Sequence, residues 1–462
     1  MKLFLSHIVV CAALVAAAAA YQARAQEDAA PSPHSGSLWD RDVLTGDWDG
    51  ARTALERQGF RFGLNLTAET FANPTGGVAQ GVIYDDLMEL TADVDLERVW
   101  GWSGALIHAN GYLTHGTGLS ANFLGNNLLT VSNIEADRGS RLFDLYIQQT
   151  FHDGAISVRV GQIAANDEFF ISRYAATFLN GSYGWPGLLS TDLPSGGPNY
   201  PLATPGLRIA VAFTDRFSVL AAVFNGDPAG PGPGSPLSRD TSGTNFFFKD
   251  GAFAITEASY RFAPAADAVG LPANYKLGIW YHSGTFADQH LDTDGISLAD
   301  PASSGIAKEH HGNLGAYFVI DQMFWRTPGS EDRGLGVFAR GAMSSADRNL
   351  ISAFVDTGAA FKGVFRTDDV LGLAFTYARV GGAARAFDRD LRQLEDPTHP
   401  LRDFESNVEL TYQVTITPWL VVQPDVQVVI HPGGHVPIAN GTTPDRAIPN
   451  AVAFGFRTVL IF

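Results

Sequence analysis

Glu405 to Ile416 reads E-S-N-V-E-L-T-Y-Q-V-T-I, which places Glu405, Asn407, Glu409, Thr411, Gln413 and Thr415 on one face and Val408, Leu410, Tyr412, Val414 and Ile416 on the other. Successive side chains of an extended chain point to opposite faces, so this sustained period of two is a β-strand with one polar and one apolar side. Thr417-Pro418-Trp419 leads at once into a second such segment, where Gln423, Asp425 and Gln427 oppose Val422, Val426, Val428 and Ile430. The pair reads as a hairpin. The same alternation recurs at Arg61, Gly63, Asn65, Thr67 and Glu69 against Phe60, Phe62, Leu64 and Leu66, and at Glu89, Thr91, Asp93, Asp95 and Glu97 against Leu90, Val94 and Leu96. A soluble sandwich would show such faces too, so the connections between strands have to decide.

Comparable segments lie near 60–71, 86–97, 103–113, 142–151, 155–162, 206–214, 216–225, 252–262, 274–284, 312–325, 334–344, 351–363, 369–380, 404–416, 419–431 and 449–462, an even set of sixteen. The segment 351–363 is the weakest of them. Connections are long at 72–85, 114–141, 163–205, 226–251, 285–311, 381–403 and 432–448. They are mostly short at 98–102, 152–154, 215, 263–273, 326–333, 364–368 and 417–418, with 345–350 short where a long loop is due. Long loops at one end and tight turns at the other are the habit of outer-membrane barrels. Beyond residue 25 no apolar run reaches the length of a spanning helix, and a closed barrel is the other structure that satisfies its backbone inside lipid. Trp100, Trp102, Trp325 and Trp419 sit at the short-turn ends, where an aromatic girdle belongs, and the chain finishes Phe454, Phe456, Thr458, Leu460, Phe462 on one face with Arg457 on the other. The expected fold is an all-β, sixteen-stranded antiparallel transmembrane barrel over 60–462, placed in the bacterial outer membrane.

The N-terminus fits export to that place. Lys2, an apolar stretch from Leu3 to Ala20 and Ala23-Arg24-Ala25 form a cleavable signal over 1–25. A flexible lead rich in Ala, Pro and Ser covers 26–43, and L-T-G-D-W-D-G-A-R-T-A-L-E-R-Q-G over 44–59 predicts one short periplasmic helix, capped by Thr45 or Asp47 and stopped by Gly59. Cys11, the single cysteine, leaves with the signal, which excludes disulfides, thiolate metal sites and cysteine nucleophiles. The formal net charge of −17 becomes −19 without Lys2 and Arg24, a balance that repels nucleic acid.

No phosphate loop, GxGxxG, HExxH or GxSxG occurs, so no enzyme activity and no cofactor are assigned. An outer-membrane hydrolase and a structural or adhesive barrel with a plugged lumen are the competing classes. His290, Asp292, Asp294 and Gly295 faintly resemble a calcium loop, but the twelfth position is Pro301 rather than Glu, and the acidic stretch around Asp288 to Asp300 reads as solvated loop charge. His310-His311 and His431 with His435 lack a third ligand at sensible spacing, so no metal is assigned.

In a channel, parity directs Arg61, Glu69, Glu89, Asp93, Asp95, Glu97, His108, Asn110, Asp144, Gln148, Arg159, Arg208, Lys276, Trp280, Glu405, Glu409, Gln423, Asp425 and Arg457 into the lumen. Passing a small polar solute calls for donors and acceptors that exchange with its hydration and release it. Arg outnumbers Lys 26 to 5, and its planar fork presents paired donors, though genomic base composition explains the ratio equally well. A sixteen-stranded lumen is too wide to select a small solute by wall contacts alone. The connection 163–205, the longest, stiffened by Pro186, Pro194, Pro198, Pro201 and Pro205, is expected to fold inward and bring Asp167, Glu168, Arg173 and Asp192 to the narrowing, with Tyr174, Tyr183 and Trp185 as stacking surfaces.

Several stretches, namely GDWDGAR (Gly46 to Arg52), GQIAANDEFF (Gly161 to Phe170), TPGLRI (Thr204 to Ile209), VFNGDP (Val223 to Pro228), VLGLAFTYAR (Val370 to Arg379) and ELTYQVTITPWLVVQPDVQVVIHPGG (Glu409 to Gly434), run in order along nearly the whole mature chain. They resemble the carbohydrate-selective porin family (the OprB family). The resemblance implies a sixteen-stranded barrel that lets small sugars diffuse across the outer membrane, the arginine forks donating to vicinal hydroxyls and Tyr174, Tyr183 and Trp185 stacking on sugar rings. Its partners would be carbohydrate solutes and outer-membrane lipid, and general porins are often homotrimers.

Overall fold

The computed structural model describes residues 33–265, 269–438 and 446–462, so the signal and residues 26–32 of the lead lie outside the described residues. Sixteen strands form one closed antiparallel barrel. They are β1 Phe60–Thr75, β2 Gly81–Asp95, β3 Ala105–His115, β4 Gly139–Phe151, β5 Ile156–Ile163, β6 Thr204–Ala212, β7 Phe217–Asp227 and β8 Phe247–Phe262. The second half comprises β9 Ala273–Asp292, β10 Ala307–Arg326, β11 Gly334–Ser344, β12 Ile351–Lys362, β13 Val370–Val380, β14 Phe404–Thr417, β15 Leu420–Ile430 and β16 Ala451–Ile461. Each pairs with its sequence neighbours, and β1 closes on β16 in a register that sets Glu69 opposite Arg457. Parity holds at that seam: Arg457 binds Glu69 inside, while Phe454 and Phe456 stand exposed outside. Leu90, Leu145, Leu207, Val223, Ile279, Leu314 and Leu410 continue this apolar exterior around the wall.

The prelude forms α1, Ala51–Arg57, and the Asp47 carboxylate accepts from the Thr53 amide at 2.9 Å and from its hydroxyl at 2.7 Å. Arg52 donates to the Phe462 carbonyl at 3.0 Å, and the Leu44 amide to the Ile461 carbonyl at 2.7 Å, so the prelude is pinned to the end of β16 at the short-turn rim.

Several expectations are corrected in detail. The first long-end connection is only 76–80, because β1 and β2 stay paired as far as Asn73 and Gly81 and turn through Gly76 and Gly77 at φ +72° and +69°. Much of 285–311 is likewise strand, leaving 293–306 as loop. There the Asp292 carboxylate is buried and gathers the amides of Asp294, Ile296 and Ser304 at 2.8–2.9 Å, so this charge closes a turn and is not solvated. Glu97 does not face the lumen: it belongs to α2, Leu96–Trp100, and is exposed, while Asp95 caps that helix by accepting from the Glu97 and Arg98 amides. Trp100, Trp102 and Trp325 are exposed at the short-turn rim, but Trp419 is buried and donates to the Leu38 carbonyl at 2.7 Å instead of joining a girdle. The weakest expected strand, 351–363, is a full member of the barrel, paired on both sides.

With the short turns facing the periplasm, a maleimide that cannot cross membranes is expected to label Thr241→Cys on intact cells and to leave Asp153→Cys unlabelled until the outer membrane is opened. The opposite pattern would invert the topology.

Candidate functional site

The long connection 164–203, here called L3, runs inside the barrel, and the wall supplies partners for its backbone. A buried amide has to be paired. Glu257 of β8 accepts from the Phe170 amide at 3.0 Å, Asp321 of β10 from the Arg173 amide at 3.0 Å and the Ser172 hydroxyl at 2.5 Å, and Glu409 of β14 from the amides of Leu179 and Asn180 at 2.6 and 3.0 Å. Arg340 of β11, forked onto Asp356 of β12, donates to the carbonyls of Phe170 and Ser182 at 3.0 and 2.8 Å. Between these anchors the contact is apolar: Phe170 meets Tyr317, Phe178 and Tyr183 meet Phe338, and Trp185, Leu188 and Leu189 join Phe354 and Trp280 in one buried cluster.

A second loop, L2 (116–138), joins it. The Glu405 carboxylate accepts from the Leu129 amide at 2.8 Å, Glu69 from the Ser132 hydroxyl at 2.5 Å, and Gln427 donates to the Val131 carbonyl at 2.7 Å. L2 and L3 then bond to each other, Gly181 amide to Thr130 carbonyl at 2.9 Å and Asn133 amide to Leu179 carbonyl at 2.8 Å. One side of the lumen is therefore filled. This corrects the expectation for Glu69, Glu405, Glu409, Asp425 and Arg457: all point inward, but Glu69, Glu405 and Glu409 are 0% exposed under the loops and hold them in place. Tyr174, Tyr183 and Trp185 are buried in the same packing and offer no open stacking ladder.

The open passage follows the other side, along β2 to β6. Strand register places Gln148, Arg159 and Arg208 in one row, with the two arginines directly opposed. Adjacent like charges repel, and Glu168 of L3 resolves the conflict: one carboxylate oxygen lies 2.6 Å from Arg208 Nε and 3.4 Å from Arg159 Nη1. The Gln148 carbonyl accepts from Arg159 and Arg208 at 3.1 and 3.0 Å. Arg159 lies over the Tyr146 ring at 4.0 Å, and His108, whose Nδ1 is 2.7 Å from Asp93, stacks on that ring at 4.9 Å. Asp167 of L3 lies beside Asp144 of β4 on the same wall. Arg61 is exposed at the short-turn mouth near Asp93 and Asp95. Lys276 pairs with Glu257 at 3.1 Å. Arg173 stands apart from the arginine row, exposed near Tyr174 and Arg261 toward the periplasmic end.

A closed sixteen-stranded barrel, an inward third loop and a polar passage on one wall is the architecture of a diffusion channel, and the sequence profile described as the carbohydrate-selective porin, OprB family, matches residues 79–462. The chain belongs to that family. Porin B of Pseudomonas aeruginosa is 27% identical over 414 residues, covering 85% of this chain and 87% of that protein. The putative porin QuiX of Acinetobacter baylyi is 22% identical over 419 residues, covering 86% and 90%. In fold, the high-pH structure of Pseudomonas putida OprB superimposes with a TM-score of 0.80 at 24% identity, over 94% of this chain and all of the other. This OprB-family porin is an outer-membrane channel for passive diffusion of carbohydrates, and not an enzyme.

Sequence reasoning missed five residues of the porin's interior: Tyr146 in the passage, and Glu257, Asp321, Arg340 and Asp356 behind L3. Tyr146 shares the parity of Asp144 and Gln148 and was legible by the same rule. Arg340 and Asp356 each stand at an inward position of a mainly apolar strand, and their being opposite each other in register was the signal.

Proposed function

We propose that uncharged monosaccharides cross this porin along the β3–β6 wall opposite L3, exchanging hydration water for hydrogen bonds with Arg159, Gln148 and Glu168, the last two held in place by the buried Arg208, with Tyr146 and His108 presenting ring faces. The observation that carries the reading is the Arg159–Arg208 pair sharing one Glu168 oxygen. The Arg159 fork beside the Gln148 and Glu168 acceptors matches the alternating donors and acceptors of a polyol. Glu168 offsets one of the two arginine charges and Asp167 lies near Arg159 to oppose the other, and contacts of this kind are weak enough to release a neutral solute. Asp167 and Asp93 extend the acceptor lining. The apolar exterior is the surface we assign to outer-membrane lipid. Each barrel encloses its own passage, so the mechanism is the same for a single barrel and for a homotrimer.

The test is planar-bilayer current under added monosaccharide. Wild type is expected to show partial, reversible block. Losing one charge-assisted hydrogen bond, worth about 1.5 kcal/mol, should weaken the block by roughly ten-fold in Arg159→Gln or Arg208→Gln. Arg173→Gln should leave it unchanged. Equal block in all four proteins would remove the arginine row from the mechanism.

A further inference from the structure

We propose that His431, His435 and Asp403 form a binding site for one divalent transition-metal ion at the extracellular rim, tying the end of one external loop to the start of the next. Asp403 closes the connection 381–403 immediately before β14, and His431 is the first residue after β15. The sequence pattern supplied two histidines without a third ligand, and the barrel brings that ligand from 28 residues away. A nitrogen of each ring and a carboxylate oxygen of Asp403 lie within 4.8 Å of one another, and His431 Nδ1 is already 2.9 Å from Asp403 Oδ1.

The backbone is built to hold this arrangement. His431 and His435 both adopt left-handed φ, +53° and +76°, as do Gly433 and Gly434 between them. That conformation is costly for a residue with a side chain and persists only where its surroundings impose it. Here the Gly433 amide donates to Glu405 at 2.6 Å, the Asp403 amide to the Gly434 carbonyl at 3.0 Å, and the His431 amide to Asn450 at 2.9 Å. The turn thereby presents the imidazoles in parallel, 4.3 Å apart, with Phe404 packed at 4.6 Å against the outer side of His431. Asp403 and His431 stay 34% and 28% exposed, so an ion reaches them from outside.

Two imidazoles and one carboxylate suit Zn²⁺, Cu²⁺ or Ni²⁺ rather than Ca²⁺ or Mg²⁺, with water completing the coordination. Bonds of about 2.0–2.2 Å require the His435 ring to swing out of its stack and His431 to turn an unprotonated ring nitrogen toward the ion.

The experiment uses tag-free, metal-stripped, full-length protein in detergent, titrated with Zn²⁺ by calorimetry. Expected is one ion per chain with Kd tighter than about 10 µM, weakened at least ten-fold in His435→Asn and in Asp403→Asn, and unchanged in His310→Asn. Asn is chosen at 435 because it tolerates left-handed φ, and heat-dependent gel mobility checks that each barrel is folded. Independently of any variant, Cu²⁺ bound to wild type should show coupling to two imidazole nitrogens by electron paramagnetic resonance. Zn²⁺ binding weaker than about 100 µM, binding unchanged in folded His435→Asn, or a copper spectrum without two imidazoles would each overturn the site.

Discussion

Arg340→Ala is expected to destabilise the folded barrel by about 3–5 kcal/mol, the usual cost of leaving one member of a buried ion pair without its partner. Arg340 and Asp356 are both 0% exposed, and the guanidinium is shared between the Asp356 carboxylate and the L3 carbonyls of Phe170 and Ser182. Truncation strands a carboxylate on β12 and two carbonyls of L3 at once, and Phe170 loses the guanidinium that lies 4.9 Å from its ring. The expected readouts are a lower denaturant midpoint in detergent and noisier open-channel current, because L3 loses the clamp between its two wall contacts. Arg340→Lys should recover only part of the loss, since an ammonium cannot fork onto a carboxylate and reach two carbonyls. A stability change within about 0.5 kcal/mol would show that the pair carries no load.

Deleting 175–200 is expected to raise single-channel conductance at least about two-fold and to weaken the monosaccharide block, because a barrel of sixteen strands is an open aqueous channel unless something fills it. The deletion removes Phe178, Tyr183, Trp185, Leu188 and Leu189 from the lumen and returns the Glu409 carboxylate to water. The strand ladders do not depend on L3, so the barrel should still close, while Phe338 and Phe354 become wetted. Glu168 and Asp167 remain on the shortened loop but lose the packing that fixes them opposite Arg159 and Arg208. A folded deletion variant with unchanged conductance and block would place the constriction elsewhere.

The barrel was legible because period-two alternation is a local property. Glu405 to Ile430 states both the direction of each side chain and the hairpin between the strands. What alternation does not state is depth. Glu69, Glu405 and Glu409 obey the same parity as Gln148 and Arg159, yet loops distant in sequence cover the first three and leave the last two in the passage. The same limit explains Tyr174, Tyr183 and Trp185, which were expected to meet sugar and instead pack against Phe338 and its neighbours. Residues 72–85 read as a long connection between two alternating segments, but strand pairing continues through Asn73 and Gly81 and only the tip turns. Arg340 and Asp356 escaped notice because 351–363 alternates poorly, and the register between β11 and β12 is what brings the two residues together.

The most direct test of the account is the swelling of liposomes carrying the wild-type protein in glucose and in gluconate, which has the same carbon number and adds a carboxylate. A passage whose two arginines are opposed by Glu168 and the neighbouring Asp167, in a chain of net charge −17, predicts rapid swelling in glucose and much slower swelling in gluconate. Equal rates for the two solutes, or no swelling in either, would contradict a carbohydrate-selective passage.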